Sequence, residues 1–186
     1  MENNFKAILE KLQETLNFKV TTEELETTPK RISKMFQNEL LIGYTKNPAE
    51  ILSKTFKTKN EDMVIVKNIS FVSLCAHHWL PFMGKAHFGY IPKDGIIVGL
   101  SKIPRLVECF ARRFQVQENM TKEIADSFYD TVKPHGCIIV TEAEHMCAQI
   151  RGVQSYGTIM MCSALRGNFD KAEIKDEFLR LINGKY

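Results

Sequence analysis

A thiol and two imidazoles fall within four positions in the segment Ser73-Leu-Cys-Ala-His-His78. The two-residue gap between Cys75 and His78 lets both side chains reach one ion. Farther along, Glu144-His-Met-Cys147 supplies a second histidine and cysteine, and strand alternation would send His145 and Cys147 to the same side. Mixed thiolate and imidazole donors favour zinc, and a site with three protein ligands keeps the fourth tetrahedral position for water. Such a water ionises at a pKa of about 7, and an unligated histidine beside it, His77 or His145, can move protons. Two separated clusters outweigh the ordinary reading of isolated Cys and His as packing residues. Cys109, Cys137 and Cys162 lie in apolar helix or strand patterns, and for them the core reading holds.

Basic residues form a further constellation. Ser101-Lys-Ile-Pro-Arg105 opens a helix pattern, Arg112-Arg113 closes it, and Arg151-Gly152 follows Cys147. A helix start joined by cations suits phosphate, which favours Lys102, Arg105 and Arg151; Arg112 and Arg113 read as well as a solvated helix end. Gln117-Glu118 precedes another helix, where an amide and a carboxylate could meet the hydrogen-bonding edge of a purine, and helix capping explains Glu118 equally well.

The elements that must hold these groups can be read from periodicity. Phe5, Ile8, Leu9, Leu12 and Leu16 repeat at helical spacing, predicting an amphipathic helix with one buried stripe. A second helix is expected to start at Thr28 with Pro29 in its first turn, to bury Ile32, Met35, Phe36 and Leu40, and to stop at Gly43, with Arg31 and Lys34 on its other face. Met63 to Ile69 and Gly84 to Ile91 read as an antiparallel strand pair. Helices around Ile103 to Arg113 and Thr121 to Val132 follow, then strands Cys137 to Thr141 and Ile159 to Ala164, then a terminal helix with Phe178, Leu181 and Ile182. The order is helices, ββααββ, helix, an α+β class, with no repeat or long linker to mark a boundary. One domain spanning 1–186 is expected, with residues 1–55 helical and 60–186 forming the core.

Bulk properties narrow the function. Lys and Arg total 25 against 22 for Asp and Glu, a net +3, too balanced for a dedicated nucleic-acid binder. No apolar run reaches the roughly 20 residues that span a bilayer. Five cysteines, odd in number and without a secretory segment ahead of them, fit a reducing cytoplasm better than a disulfide framework.

In combination these motifs resemble the GTP cyclohydrolase I family. The likeness runs from Thr28-Pro-Lys-Arg-Ile-Ser-Lys-Met35 to Glu177-Phe-Leu179 and includes Cys75-Ala-His-His78, Pro81-Phe82, Tyr90-Ile-Pro92, Gly99-Leu-Ser-Lys102 with Arg105, Arg113-Phe-Gln-Val-Gln-Glu118, His145-Met-Cys147 and Arg151-Gly-Val153. The resemblance implies zinc-dependent hydrolysis of GTP at C8, with loss of formate and formation of 7,8-dihydroneopterin triphosphate, leading to folate or related pterins. It implies Cys75, His78 and Cys147 as zinc ligands, His145 as the proton-transferring histidine and His77 as a second active-site histidine. Gln117 and Glu118 match guanine-holding positions, Ser101, Lys102, Arg105 and Arg151 match triphosphate contacts, and Arg31 and Lys34 match further phosphate-side positions. It also implies the tunnelling fold, with sheets joined across subunits into a barrel, a homodecamer, and active sites at subunit interfaces. Unpaired sheet edges would be covered by that assembly.

The match has departures. Ala76 stands where the family usually has Glu, Met160 and Cys162 replace threonines, and Lys175 replaces an arginine. Loss of a carboxylate beside the ligands is of the kind that costs about 10–100-fold in affinity or activity. Two other readings therefore stay open: a diverged homologue that binds GTP or another purine nucleotide with altered or no turnover, and a zinc-stabilised binding module in which His145 would close the coordination.

Overall fold

The computed structural model describes residues 1–184 and divides the chain into two compact units, Met1–Ile42 and Gly43–Tyr186. In the first, α1 (Glu2–Leu16) and α2 (Thr22–Met35) are followed by one π-type turn, Phe36–Leu40. The second helix begins six residues earlier than its proline suggests. Thr21 and Glu24 form a reciprocal capping box, which satisfies two of the free N–H groups of the first turn. Pro29 is thus an interior residue of α2, buried with Ser33, and Met35, expected inside, is exposed. Phe5 stacks on Phe36 with ring centroids 5.6 Å apart, yet no residue of α1 is buried: Ile8, Leu12 and Leu16 of its apolar stripe are all exposed. Arg31 and Lys34 are exposed on α2 and one turn apart, on one face.

The second unit is built on a five-stranded sheet of order β5-β2-β3-β6-β7. Its strands are β2 (Val64–Cys75), β3 (Pro81–Ile91), β5 (Phe114–Gln115), β6 (Gly136–His145) and β7 (Ile159–Gly167). Pairing is antiparallel except for the short parallel contact of β5 with β2. A small pair, β1 (Thr55–Lys57) with β4 (Ile96–Val98), lies apart from it. Four helices complete the main framework: α3 (Pro48–Leu52), α4 (Lys102–Ala111), α5 (Gln117–Val132) and α7 (Ala172–Ile182), with the single turn α6 (Met146–Gln149) between β6 and β7. The expected ββααββ-helix order is present, and the architecture is α+β. Neither the β1/β4 pair nor β5 was foreseen; each offers three residues or fewer, too short for a periodicity to register.

Alternation along the strands sorts side chains into two cores. Phe82, Ala86, Phe88 and Tyr90 of β3 join Leu106 and Phe110 of α4 and Ile124 and Phe128 of α5. On the other face, Ile138 and Val140 of β6 pack with Phe169 and Phe178. Gly89 lies beneath that second core, where a Cβ would run into the Phe178 ring at 2.7 Å. The covering stops halfway along the sheet: Met83, Ile159 and Met161, farther up the same face, are 41%, 55% and 65% exposed.

Phe128 is fully buried and meets the rings of Phe88 and Tyr90 at 4.7 and 5.0 Å. Its replacement by alanine is expected to cost about 3–5 kcal/mol, read as a fall in the denaturant midpoint at unchanged slope. A cost below about 1 kcal/mol would mean that α5 is not anchored there.

Candidate metal centre and active site

Cys75 closes β2 and begins a tight turn into β3. Its N–H donates to the carbonyl of Leu80 at 2.9 Å, and its own carbonyl accepts from the N–H groups of His78 and Trp79 at 3.3 and 2.8 Å. Trp79 completes the reversal in the left-handed region, φ 56°, a conformation that costs a non-glycine residue energy and is held only by its surroundings. Its indole stacks on Phe114 at 5.0 Å, and the Ala76 N–H donates to the carbonyl of Gln115 at 3.0 Å. The ligand turn is thus tied to β5.

From the far side of β3, β6 ends at His145, and Cys147 sits in α6. The expected strand alternation of His145 with Cys147 does not occur, because the chain changes from strand to helix between them. The consequence is a separation of roles. The donor atoms of Cys75, His78 and Cys147 lie within 4.8 Å of one another, and His145 is outside that group. His77 approaches Cys75 Sγ with Nδ1 at 3.7 Å, also outside the three-way group. Burial, together with the neighbouring Cys75, pushes the Cys147 thiol up from its ordinary value. Two sulfurs and one imidazole in this compass form a donor set suited to zinc, with one tetrahedral position left for another ligand. His78 presents Nδ1 to Cys75 Sγ at 3.8 Å, and its Nε2 accepts from Arg151 Nη1 at 3.0 Å. Arg151 therefore stands beside the three-donor group.

His145 is fixed from two directions. Its ring lies flat on Phe82, with centroids 4.7 Å apart and planes 2° from parallel. Its Nε2 is 2.7 Å from Gln117 Oε1. Partial burial lowers its pKa by disfavouring the imidazolium, and the Glu118 carboxylate acts in the opposite direction. Glu118 is exposed at the start of α5, near His145 and Cys162. Gln117 is 1% exposed. Its amide is committed inside the protein, so it does not stand open to solvent beside Glu118.

The other basic residues lie elsewhere. Arg113 is a packing residue: it donates from Nε to the Cys109 carbonyl at 2.9 Å, and its guanidinium lies over the Phe110 ring at 4.6 Å. Its own carbonyl accepts from Ser73 Oγ at 3.4 Å, so the end of α4 reaches β2 beside Cys75. Ser101 and Lys102 are at the opposite end of this ten-residue helix, a distance of about 15 Å. Arg105 lines a cavity of about 270 Å³ with Ser70, Val72, Glu108 and Arg112. Within one chain the metal group and the Ser101/Lys102 helix start are not brought together. Of the remaining cysteines, Cys109 and Cys137 are fully buried as expected, the latter pushed up to about 12 by burial. Cys162 is only half-buried on β7.

Thr121 and Thr141, which hold Gln117, carried no signal in the sequence, and Phe82, present there in the Pro81-Phe82 match, gave no sign that it would stack on His145. They lie on three different elements, and only the register of β3 with β6 and the packing of α5 brings them together.

The sequence matches the family model for GTP cyclohydrolase I over residues 1–183. Curated relatives called GTP cyclohydrolase 1 are similar over most of their length. The protein of Halalkalibacterium halodurans is 48% identical over 163 residues, covering 87% of this chain and 86% of its own. That of Desulforamulus reducens is 47% identical over 173 residues, covering 93% and 90%. That of Campylobacter jejuni subsp. jejuni is 45% identical over 185 residues, covering 98% and 96%. With the three-ligand group, the separate histidine and this end-to-end match in place, the chain belongs to the GTP cyclohydrolase I family.

Proposed function

We propose that this protein hydrolyses GTP to 7,8-dihydroneopterin triphosphate and formate, the first step toward folate or related pterins. The observation that carries the reading is the division of labour at the site: three donor atoms within 4.8 Å, and His145 held outside them. A zinc ion bound by Cys75, His78 and Cys147 would supply Lewis acidity and an acidified water. His145 moves protons at C8 and on the opening imidazole ring, and His77 serves nearer the ribose. Glu118 accepts from the guanine N–H donors. Arg151, with Lys102, Arg105 and Ser101, neutralises the triphosphate, and Arg31 and Lys34 add charge on the phosphate side.

Because α4 holds Ser101 and Lys102 about 15 Å from the end that reaches β2, these two complete the site of another copy, whereas Arg151 serves the donor group of its own chain. Two features of the sheet support such an assembly. Strand β7 is a nine-residue outer strand, an unpaired ladder that invites a partner strand. The exposed Met83, Ile159 and Met161 form an apolar half-face beside it. Barrel closure across subunits, as a tunnelling-fold homodecamer, would cover both, with residues 1–55 as the helical segment of a single 1–186 domain. Among the described residues no helix is long and apolar enough to cross a membrane, and the free cysteines suit the cytoplasm.

The zinc-stabilised binding module is disfavoured because His145 commits Nε2 to Gln117 instead of joining the ligand group. The test is incubation of the zinc-loaded protein with GTP, following formate and identifying the pterin by mass spectrometry. Equimolar formate and dihydroneopterin triphosphate are expected, with Ala76 tolerated. Zinc binding without either product would favour the diverged homologue.

A further inference from the structure

We infer that Gln117 is a positioning residue that sets the tautomer of His145, placing the ring proton on Nε2 and leaving Nδ1 as the atom that exchanges protons with substrate. The inference deepens the cyclohydrolase reading and rests on it for the identity of the reaction.

The direction of every bond in the network can be assigned without choice. Gln117 Nε2 lies 3.2 Å from the carbonyl oxygen of Thr141 and 3.1 Å from that of Met160. Carbonyl oxygens only accept, so the nitrogen end of the amide must face them. The other end, Oε1, is then an acceptor, and it lies 2.7 Å from His145 Nε2. A bare Nε2 there would set two lone pairs against each other in a buried place, so Nε2 carries the proton.

The hydroxyls below follow the same logic. Thr121 Oγ1 donates to the Gln117 main-chain carbonyl at 2.7 Å. Having spent its proton, it accepts from Thr141 Oγ1 at 2.7 Å. Thr141 Oγ1, 3.1 Å from Gln117 Nε2, shares with the two carbonyls the two protons that the amide offers. Gln117, Thr121 and Thr141 are each at most 1% exposed, so water cannot substitute for a missing partner. The chain from Thr141 to His145 is closed and polarised in one sense.

This arrangement suits a histidine that cycles a proton. Nε2 donates to Gln117 whether the ring is neutral or charged, so the bond persists while Nδ1 takes and returns the proton. The Phe82 stack at 4.7 Å restrains rotation of the ring. Gln117 thus acts through His145 and not on the purine, although Glu118 next to it in the chain is free to do so.

The experiment uses the zinc-loaded protein labelled with ¹⁵N-histidine. Ring ¹⁵N shifts report the tautomer, and the His145 signals are identified by their loss in His145→Ala. The wild-type protein is expected to show His145 as the Nε2–H form. Gln117→Met keeps the volume and removes both the acceptor and the amide donors. It is expected to give mixed tautomers, unchanged zinc content, a kcat for formate release about 10–100-fold lower, and a KM for GTP within about twofold of wild type. An Nδ1–H form in the wild type would overturn the inference, even if Gln117→Met fails to fold. A Gln117→Met protein with unchanged kcat and a raised KM would also overturn it, since that is the signature of a residue reading the base. If the wild type releases no formate, the cyclohydrolase reading fails while the ¹⁵N shifts still decide the tautomer.

Discussion

Cys147→Ser is expected to strip the protein of zinc and reduce formate release to background. The substitution exchanges a soft thiolate for a hydroxyl that stays protonated near neutral pH, leaving two good ligands where three are needed. Loss of an outer partner of a metal ligand already costs about 10–100-fold, so removal of a ligand should exceed that range in affinity. The fold should survive, because Cys147 is only partly buried at the margin of the main core. Zinc content after dialysis against a weak chelator, measured beside formate release, gives the result. A serine variant that keeps stoichiometric zinc would show that the ion is held elsewhere.

His145→Ala should give the complementary result, with zinc retained and turnover lost. His145 lies outside the donor group and is held by Gln117 and Phe82 instead. Removing a group that transfers protons in the transition state costs about 10²–10⁴-fold in kcat. The lost ring contact with Phe82 is worth about 0.5–1.5 kcal/mol, too little to unfold the domain. Zinc should therefore remain at one ion per chain while formate release falls by that factor. If the alanine variant loses its zinc, His145 is a fourth ligand and the site is of the closed, structural kind.

How much of this could be read from the sequence depends on how local the cause is. Cys75 and His78 are legible because a single turn places them, and the two-residue gap is itself the geometry. The long strands β2, β3 and β6 were visible in part because alternation over many residues is a strong signal, although each extends beyond its expected limits. The start of α2 was misplaced because Pro29 resembles a first-turn residue, while the stronger signal was the Thr21/Glu24 box five to eight residues earlier. Cys147 was placed among strand residues, and the strand-to-helix change at Met146 left no periodic trace in four residues. Gln117 shows the deeper limit. Its identity suggested an edge-reading amide, but its partners are Thr141, Met160 and His145, all more than twenty residues away. Only the packing of α5 over β6 and β7 reveals that the amide is already satisfied.

The three candidate metal donors come from the end of β2 and the turns after β2 and β6, with β3 paired between those two strands. No short stretch of the chain contains the site, and the segment that the ion would close is about seventy residues long. Zinc therefore cannot nucleate folding here as it does in small finger modules. During synthesis the nascent chain must pair three strands before a complete coordination pocket exists. The ion should arrive late, locking a topology of high contact order that the hydrophobic core has already chosen.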